Sequence, residues 1–202
     1  MSPAHWSIGL ETWIVQDGNY RDFAVGDRAE FALAFEPVGE LAPAAEGPAR
    51  AGHVEGNVYD VVGLVVLAED GVVVLDFGLL AYREEGTRFE VTAGHWLQGR
   101  IALGIDPFAY FERLSRDPRY PDLVYTWDVT AIWQESAPFV DRAGMYRRDR
   151  TRRGRVSRAR TDAWAEQGWS GSRSIEADVP DYVLDCALVD VPPKRTSTTA
   201  VA

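Results

Sequence analysis

Three side chains on two neighbouring predicted strands could bind a ligand by stacking. Alternation of apolar and polar residues places Tyr82, Trp96 and Arg100 on the outward side of the strands Val72–Tyr82 and Trp96–Ile105. Aromatic rings beside a guanidinium group form a platform on which the bases of single-stranded nucleic acid stack. The alternative is that two N-terminal strands cover this face, in which case Trp96 is a core residue.

A dense run of arginines is the second candidate for ligand binding. Residues 147–160 contain eight arginines and one acid, Asp149. Guanidinium groups at this density could clamp a phosphate backbone. The alternative is a solvated loop that leans on the protein's own acidic surface. The candidate ligand-binding arginines are Arg147, Arg148, Arg152, Arg153 and Arg155.

The formal net charge of −10 limits the partners that these side chains could bind. Residues 147–160 carry +7, so the rest of the chain carries −17. Nonspecific affinity for duplex DNA needs a positive face, and a dedicated DNA-binding protein is therefore not expected. The charge argues against nucleic acid in general, and single-stranded nucleic acid is kept only as an alternative partner.

Motifs for catalysis, metals and cofactors are incomplete in this sequence. Asp76-Phe77-Gly78 has the letters of a kinase metal-binding tripeptide, but the glycine-rich loop and the catalytic loop of that set are missing. His53-Val54-Glu55 lacks the Pro-Cys-x-x-Cys partner of a zinc deaminase, and the lone Cys186 cannot supply it. We therefore predict no metal, no cofactor and no catalytic residue, while a site that assembles only in the fold stays open.

Length and composition indicate a globular protein of ordinary size. The chain has 202 residues, of which 46% are hydrophobic, and a chain of this length can bury a self-sufficient core. It contains no apolar run near the ~20 residues that span a bilayer, and its first residues lack the features of a secretion signal. One cysteine excludes an internal disulfide. We expect a cytoplasmic protein outside the membrane, with Cys186 buried on an apolar strand face.

Five predicted strands and one helix have the element order of a small barrel. A single short helix lies between the third and fourth strands, and in this order the chain resembles five-stranded barrels of the OB type. A two-sheet sandwich is the alternative, because sequence patterns place strands better than they place topology. The five strands are Val58–Leu67, Val72–Tyr82, Trp96–Ile105, Val124–Gln134 and Asp181–Asp190.

Two local features agree with barrel closure. Gly63 lies in the middle of the long first strand, where a missing side chain permits a sharp bend. Asp106-Pro107 starts the helix, and Phe108, Phe111 and Leu114 fall close to one of its faces. We predict that this helix plugs the open end of the barrel. The arginine run falls between the fourth and fifth strands, a loop that often contacts the ligand in OB barrels.

Turn and composition signals divide the chain into four parts. The alternating segments Trp6–Ile14 and Ala29–Phe35 are expected to pair as a hairpin. The parts are an N-terminal β-hairpin extension at 1–36, an Ala/Pro/Gly/Glu-rich connection at 37–53, an OB-like barrel at 54–191 with an arginine-rich loop at 144–174, and a disordered tail at 192–202.

The leading functional hypothesis is a non-catalytic binding or interaction module whose ligand the sequence does not name. The first alternative is a single-stranded nucleic-acid binder that uses the arginine-rich loop and the aromatic platform. The second alternative is an enzyme whose site is not visible in the sequence. An exposed strand edge could also pair with its twin, so a homodimer is a candidate assembly.

Overall fold

The computed structural model consists mainly of β-strands. It describes residues 5–16, 18, 20–84, 91–135, 139–142, 145–148, 153–159 and 181–196, with the backbone alone for residues 16, 135, 139–142, 145–148 and 153. The helices are α1 (Thr12–Gln16), α2 (Ala109–Glu112) and a 3₁₀ helix (Leu114–Arg116). The strands are β1 (His5–Leu10), β2 (Arg28–Phe31), β3 (Leu33–Pro37), β4 (Ala42–Pro43), β5 (Arg50–Glu55), β6 (Val58–Glu69), β7 (Val72–Asp76), β8 (Leu80–Glu84), β9 (Trp96–Ile105), β10 (Tyr125–Glu135), β11 (Phe139–Arg142), β12 (Met145–Arg148), β13 (Arg153–Val156) and β14 (Tyr182–Leu188).

Five strands pair in a ring and close a β-barrel. Around the ring, β9 pairs with β3, β3 with β8, β8 with β7, β7 with β6, and β6 again with β9. These neighbours are antiparallel except for β3 and β8, which run parallel where Ala34 lies opposite Tyr82. The predicted mainly β class, with a closed five-stranded barrel and a short helix, is confirmed.

The strands that close the barrel differ in part from those that the sequence pattern indicated. β3, which was expected in an N-terminal extension, supplies the barrel strand between β8 and β9. β10 and β14, which were expected in the barrel, lie outside the ring and pair with each other. Alternation identifies a strand and its buried face, but the partner of that strand depends on the whole core.

A second group of strands continues from the barrel along one edge of β9. β6 pairs with β9 as far as Ala102, and Gly9 of β1 then lies opposite Gly104. β3 pairs with the opposite edge of β9 at Gly104. β1 therefore lies along the same edge of β9 as β6, just beyond the end of β6. From β1 the sheet continues through β14 to β10, which also pairs with β2 and β13. The predicted N-terminal hairpin is thereby corrected, since β1 pairs with β14 and β9 while β2 pairs with β10.

The first strand is shorter than its sequence pattern indicated. Alternation over Trp6–Ile14 predicted one strand, but β1 ends at Leu10 and α1 begins at Thr12. The Thr12 N–H donates to Oδ2 of Asp181 over 2.9 Å in a buried position. A carboxylate that is distant in sequence therefore satisfies a backbone donor at the start of this helix, and no local pattern could reveal it.

The predicted strand Val72–Tyr82 is split into the neighbours β7 and β8. Gly78 adopts a positive φ of 103°, a conformation that glycine reaches without steric cost. The Gly78 N–H donates to Oδ1 of Asp76 over 2.9 Å, which closes the turn. Asp76-Phe77-Gly78 is accordingly the end of a strand, and β7 and β8 pair side by side in the barrel wall.

Two groups of buried side chains stabilise the fold, and the helix α2 belongs to the smaller one. The larger group fills the barrel and the space beneath the second group of strands. The smaller group lies between the outer face of β7 and β8 and the segment from α2 to Val124, with the Tyr82 and Tyr110 ring centroids 6.3 Å apart. The predicted plug is corrected: α2 covers this outer face, Tyr110 is its buried residue, and Phe111 is only partly buried.

Other segment predictions have mixed outcomes. Cys186 is buried as predicted, and burial raises the pKa of its thiol. The expected connection at 37–53 is partly sheet, because β4 pairs with β9 and β5 pairs with β6. In the expected tail, Lys194 pairs with Val124, while residues 197–202 lie outside the described part. No helix among the described residues is long and apolar enough to cross a membrane.

The close approach of Gly63 to β7 gives a test of barrel closure. A Cβ at this position would lie 2.7 Å from the backbone oxygen of Asp76, so Gly63→Ala forces the barrel wall apart. We expect a loss of about 1–3 kcal/mol in the free energy of unfolding, measured by denaturant melts. Gly52→Ala in β5 is the matched control, because its nearest neighbour would be 3.9 Å away. Equal effects of the two substitutions would contradict the tight approach of β6 and β7.

Candidate functional site

A groove of about 230 Å³ lies on the outer face of the barrel, where β1 takes over from β6 along β9. Its floor is built from small residues. Outward positions of β9 and β3 carry Ala102, Gly104 and Ala34, and Gly9 of β1 lies beside them. Larger outward side chains at these positions would fill the space, so the groove exists because the sequence places alanine and glycine there.

An aromatic side chain forms one wall of the groove. Trp13 of α1 keeps 41% of its surface exposed, although it is a large apolar residue. Its ring meets the ring of Phe108 edge-on, with centroids 5.5 Å apart. Pro107 stands next to this pair and also lines the groove. The position of Trp13 depends on the end of β1 and on the bond from Thr12 to Asp181 that starts α1.

The polar side chains of the groove are two carboxylates and one amide. Asn57 is buried. Its side-chain Nδ2 donates to the Leu103 backbone carbonyl over 2.8 Å, and its backbone carbonyl accepts from the Leu103 N–H over 2.9 Å. This residue therefore joins the end of β6 to β9. Glu11 and Glu36 also line the groove, and Glu36 forms an ion pair with Arg83 over 3.2 Å. Among the described lining residues, the ionisable side chains are both acids.

A buried carboxylate lies directly behind the groove. Asp106 follows Ile105 and precedes Pro107, which both line the groove, yet it is itself fully buried. Its Oδ1 accepts from the Tyr82 hydroxyl and, over 3.1 Å, from the Phe108 N–H. Burial raises the pKa of Asp106 to about 6, and these hydrogen bonds lower it in part.

Two polar atoms of this buried cluster lack a hydrogen-bond partner among the described residues. They are Oδ2 of Asp106 and the hydroxyl of Tyr20. Burial first, and then the charge of Asp106, raise the pKa of the Tyr20 hydroxyl. A catalytic acid must reach the reacting atom of its substrate. Asp106 has a raised pKa but no access to solvent, so its environment in this structure is that of a structural acid.

A serine and a carboxylate lie together elsewhere on the second group of strands. Ser7 Oγ donates to Oδ1 of Asp185 over 2.7 Å, and Nε1 of Trp133 donates to Oδ2 over 2.7 Å. A nucleophilic serine needs a base that accepts its proton and is itself oriented by a third group. Here the carboxylate is the acceptor, and the cluster tethers β1, β10 and β14. Within the described residues, no group of His, Cys, Asp and Glu could hold a metal ion.

The three residues of the predicted aromatic platform lie apart. Tyr82 is 2% exposed, because α2 and the segment up to Val124 cover it. Across β3, Tyr82 is level with Gly104, since Ala34 lies opposite both. Trp96 is eight residues away along β9, a distance of about 26 Å at the rise of a β-strand. A base could not stack on Tyr82 and Trp96 together.

Trp96 and Arg100 have the outward orientation that alternation predicted. Trp96 is half-buried, and the Arg100 side chain is 56% exposed. Arg100 Nε pairs with Oδ1 of Asp60 on β6 over 3.0 Å, so its charge is matched by a neighbouring acid. The alternative, that two N-terminal strands cover this face and make Trp96 a core residue, is wrong, because α2 covers the Tyr82 end and Trp96 is only half-buried.

The candidate arginines are only partly described. Arg155 is exposed on β13, opposite Trp133 of β10. Arg147 and Arg148 belong to β12, and Arg153 begins β13, each known by its backbone alone. Arg152 lies outside the described residues. Ligand binding by the arginine-rich segment therefore stays a prediction.

The cover over β7 and β8 is fastened by charged side chains. Arg119 pairs with Asp70 over 2.9 Å and with Glu69 over 3.3 Å at the turn between β6 and β7. Arg113 pairs with Glu84 at the end of β8. Arg195 donates to the carbonyl groups of Ser115, Asp117 and Tyr120. Each exposed pair contributes little alone, but together they join the cover to the barrel and to the C-terminal segment.

Sequence reasoning missed the groove residues, although two signals were present. Trp13 stands on the polar side of an alternating segment, where an exposed tryptophan is unusual. Gly104 and Ala102 are outward positions of a strand whose inward positions are large. Trp13 and the small residues of β9 are about ninety positions apart in the sequence. Neither signal indicates a shared site until the pairing of β1 with β9 is known.

Comparisons with known proteins do not add to this description. The chain matches no protein-family model, no curated protein sequence and no solved structure. The functional inference therefore depends on the geometry of the groove and on the chemistry of its lining.

The raised pKa of Asp106 gives a test that is based on pH. The folded-state pKa of about 6 lies above the ordinary value of 3.8, so the fold favours the protonated carboxyl. The stability that protonated Asp106 contributes is present at about pH 4 and is lost as the pH rises through about 6, a loss of about 3 kcal/mol for two pKa units. Asp106→Asn, which stays neutral, should lack this loss in denaturant melts.

Asp190→Asn provides the control for this pH experiment. Asp190 is exposed, and its substitution should preserve the pH dependence of the wild type. If the free energy of unfolding of Asp106→Asn followed that of the wild type between about pH 4 and pH 7, this result would contradict the burial of the Asp106 carboxyl.

Proposed function

We propose that this protein is a non-catalytic binding module, and that it holds a small ligand in the groove outside β3 and β9. The groove carries the proposal, because it is concave, has a floor of small residues and is walled by Trp13. Ligand sites in proteins combine such an apolar concave surface with a few polar groups that orient the ligand. Asn57, Glu11 and Glu36 are the polar groups at this site.

We further infer that the barrel is of the OB type with its strands in a permuted order. The meander of β6, β7 and β8, the parallel contact of β8 with β3, and the return through β9 to β6 support this inference. In that assignment β3 is the fifth strand, although it comes first in the chain. OB barrels often bind ligands on the face of their second and third strands, which here are β7 and β8.

The cover on β7 and β8 directs the proposal to the groove. In this chain α2 and the residues up to Val124 occupy the outer face of those strands. Arg119 holds the turn between β6 and β7. The usual OB ligand face is therefore internal, and the groove lies over β9 and β3, on another part of the barrel wall.

Two of the earlier alternatives receive less support from the described residues. The aromatic platform for single-stranded nucleic acid would need Tyr82, which is buried. An enzyme would need a reactive group in contact with substrate, while Asp106 lies behind the groove wall. We propose a cytoplasmic location on the basis of the single, buried cysteine. A homodimer through an exposed edge stays a prediction, and β5, which pairs only with β6 among the described strands, is its candidate edge.

Filling the groove tests the proposed function. Small fragments, including cations, anions and neutral amides, are screened by amide and indole NMR signals of the wild-type protein. We expect the responding signals to cluster at Gly104 and Trp13. Ala102→Leu places a larger side chain on the groove floor and should abolish that response. Ala34→Val is a second, smaller filling variant if the first one unfolds.

Ala45→Leu is the matched control for the filling variants. Ala45 is exposed and lies outside the groove, so this variant should bind the same fragments as the wild type. Fragment responses that survive in the folded Ala102→Leu and Ala34→Val variants, or that cluster away from the groove, would contradict the proposal.

A further inference from the structure

We infer that one water molecule is bound inside the protein, where it joins the Tyr20 hydroxyl to Oδ2 of Asp106. Tyr20 is 2% exposed and Asp106 is 0% exposed. Neither of these two atoms has a hydrogen-bond partner among the described residues. A polar group in the interior of a protein is costly unless it is hydrogen-bonded. The site lies behind the groove wall, so the inference does not depend on a ligand in the groove.

The two unpartnered atoms belong to one cluster at the start of α2. The Tyr20 ring meets the Phe111 ring of this helix edge-on, with centroids 5.6 Å apart. Asp106 accepts from the Tyr110 N–H of the same helix over 3.4 Å. Burial first, and the charge of Asp106 second, raise the pKa of the Tyr20 hydroxyl, which agrees with this proximity. The hydroxyl and the carboxyl group are therefore neighbours, although they form no direct hydrogen bond.

Other contacts hold both ends of this pair in place. Oδ1 of Asp106 accepts from the Tyr82 hydroxyl and from two N–H groups at the start of α2. The Tyr20 ring contacts the rings of Phe23 and Phe111. Turning the carboxyl group or moving the tyrosine ring would disturb these contacts. A small molecule that bonds to Oδ2 and to the hydroxyl satisfies both atoms without such a change.

Water is the molecule whose chemistry fits this pair of atoms. It donates one proton to the carboxylate oxygen, and it can accept from the tyrosine hydroxyl or donate to it. Buried waters form about two to four hydrogen bonds, and the two unpartnered atoms meet the lower limit. A divalent cation would need about six oxygen ligands. An anion would be repelled by the Asp106 carboxylate.

The bound water connects two segments that also meet at the groove. Tyr20 follows α1, and Asp106 precedes α2. At the groove wall, the Trp13 ring of α1 meets the Phe108 ring beside α2, with centroids 5.5 Å apart. The water joins the same two segments from the interior, so we expect it to stabilise that wall.

A high-resolution crystal structure of the full wild-type chain tests the inference directly. We expect one peak of solvent density within about 3.2 Å of both the Tyr20 hydroxyl and Oδ2 of Asp106. A direct hydrogen bond between these two groups, or a site without density, would overturn the inference. Because this measurement uses the wild-type protein, it does not depend on the folding of a variant.

Tyr20→Phe gives a second test in solution, because it removes the hydroxyl and leaves the ring. The water then loses one of its two partners, and its donation to Asp106 weakens. Hydrogen bonds to the charged form lower the pKa of a carboxyl group. We therefore expect the pKa of Asp106, measured by carbon NMR, to rise by about 1 relative to the wild type. Tyr120→Phe is the matched control and should leave this pKa unchanged, because the charged groups around its hydroxyl include Asp70 and Arg119.

The tyrosines that interact with Asp106 do not interfere with this titration. Burial raises the pKa values of Tyr20, Tyr82 and Tyr110 above the ordinary value of 10.0, so these hydroxyls stay protonated while Asp106 titrates. If Tyr20→Phe folded and left the pKa of Asp106 unchanged, the hydroxyl and the carboxyl group would not share a water, and the inference would be wrong.

Discussion

The edge of β9 is the constraint on which the rest of this structure depends. β6 pairs with that edge up to Ala102 and closes the barrel, and β1 occupies it at Gly104 and starts the second group of strands. Asn57 forms two hydrogen bonds to Leu103 of β9, which lies between these two positions. The outward face of β9 at this junction carries Ala102 and Gly104, whose small side chains leave the groove open. The closure of the barrel and the attachment of the second group therefore share one strand edge, and the groove lies beside it.

A second feature of the structure is the cover on the outer face of β7 and β8. The outer face of β7 and β8 is apolar, with Val72 and Val74 beside Tyr82, and it is covered by α2 and the segment that follows. The cover brings a buried acid with it. Asp106 accepts hydrogen bonds from the Tyr82 hydroxyl and from the N–H groups at the start of α2. One oxygen, Oδ1, accepts from all of those donors, and burial raises the free energy of the charged form of this acid. The outer face of β7 and β8 is therefore part of the core.

The sequence predicts elements of this fold better than it predicts their partners. The alternation along Trp96–Ile105 gives the right strand and the right faces, and the burial of Cys186 follows from the same argument. Pairing is decided by contacts between distant segments, such as Asp181 with Thr12 and β1 with β14. The predicted aromatic platform is wrong for the same reason. Tyr82 has the predicted outward orientation, but the cover that buries it becomes visible only when α2 is placed.

The order of the strands also governs how this protein can form during synthesis. All five barrel strands lie before residue 106, so the barrel has its complete set of strands once Ile105 has been made. β1 precedes the barrel strands in the chain, yet its antiparallel partner β14 follows them, with His5 opposite Ala187. Until the ribosome reaches β14, β1 lacks this partner, and unpaired strand edges invite association with other chains. The groove, which needs β1 and α1 in position, is accordingly completed after the barrel.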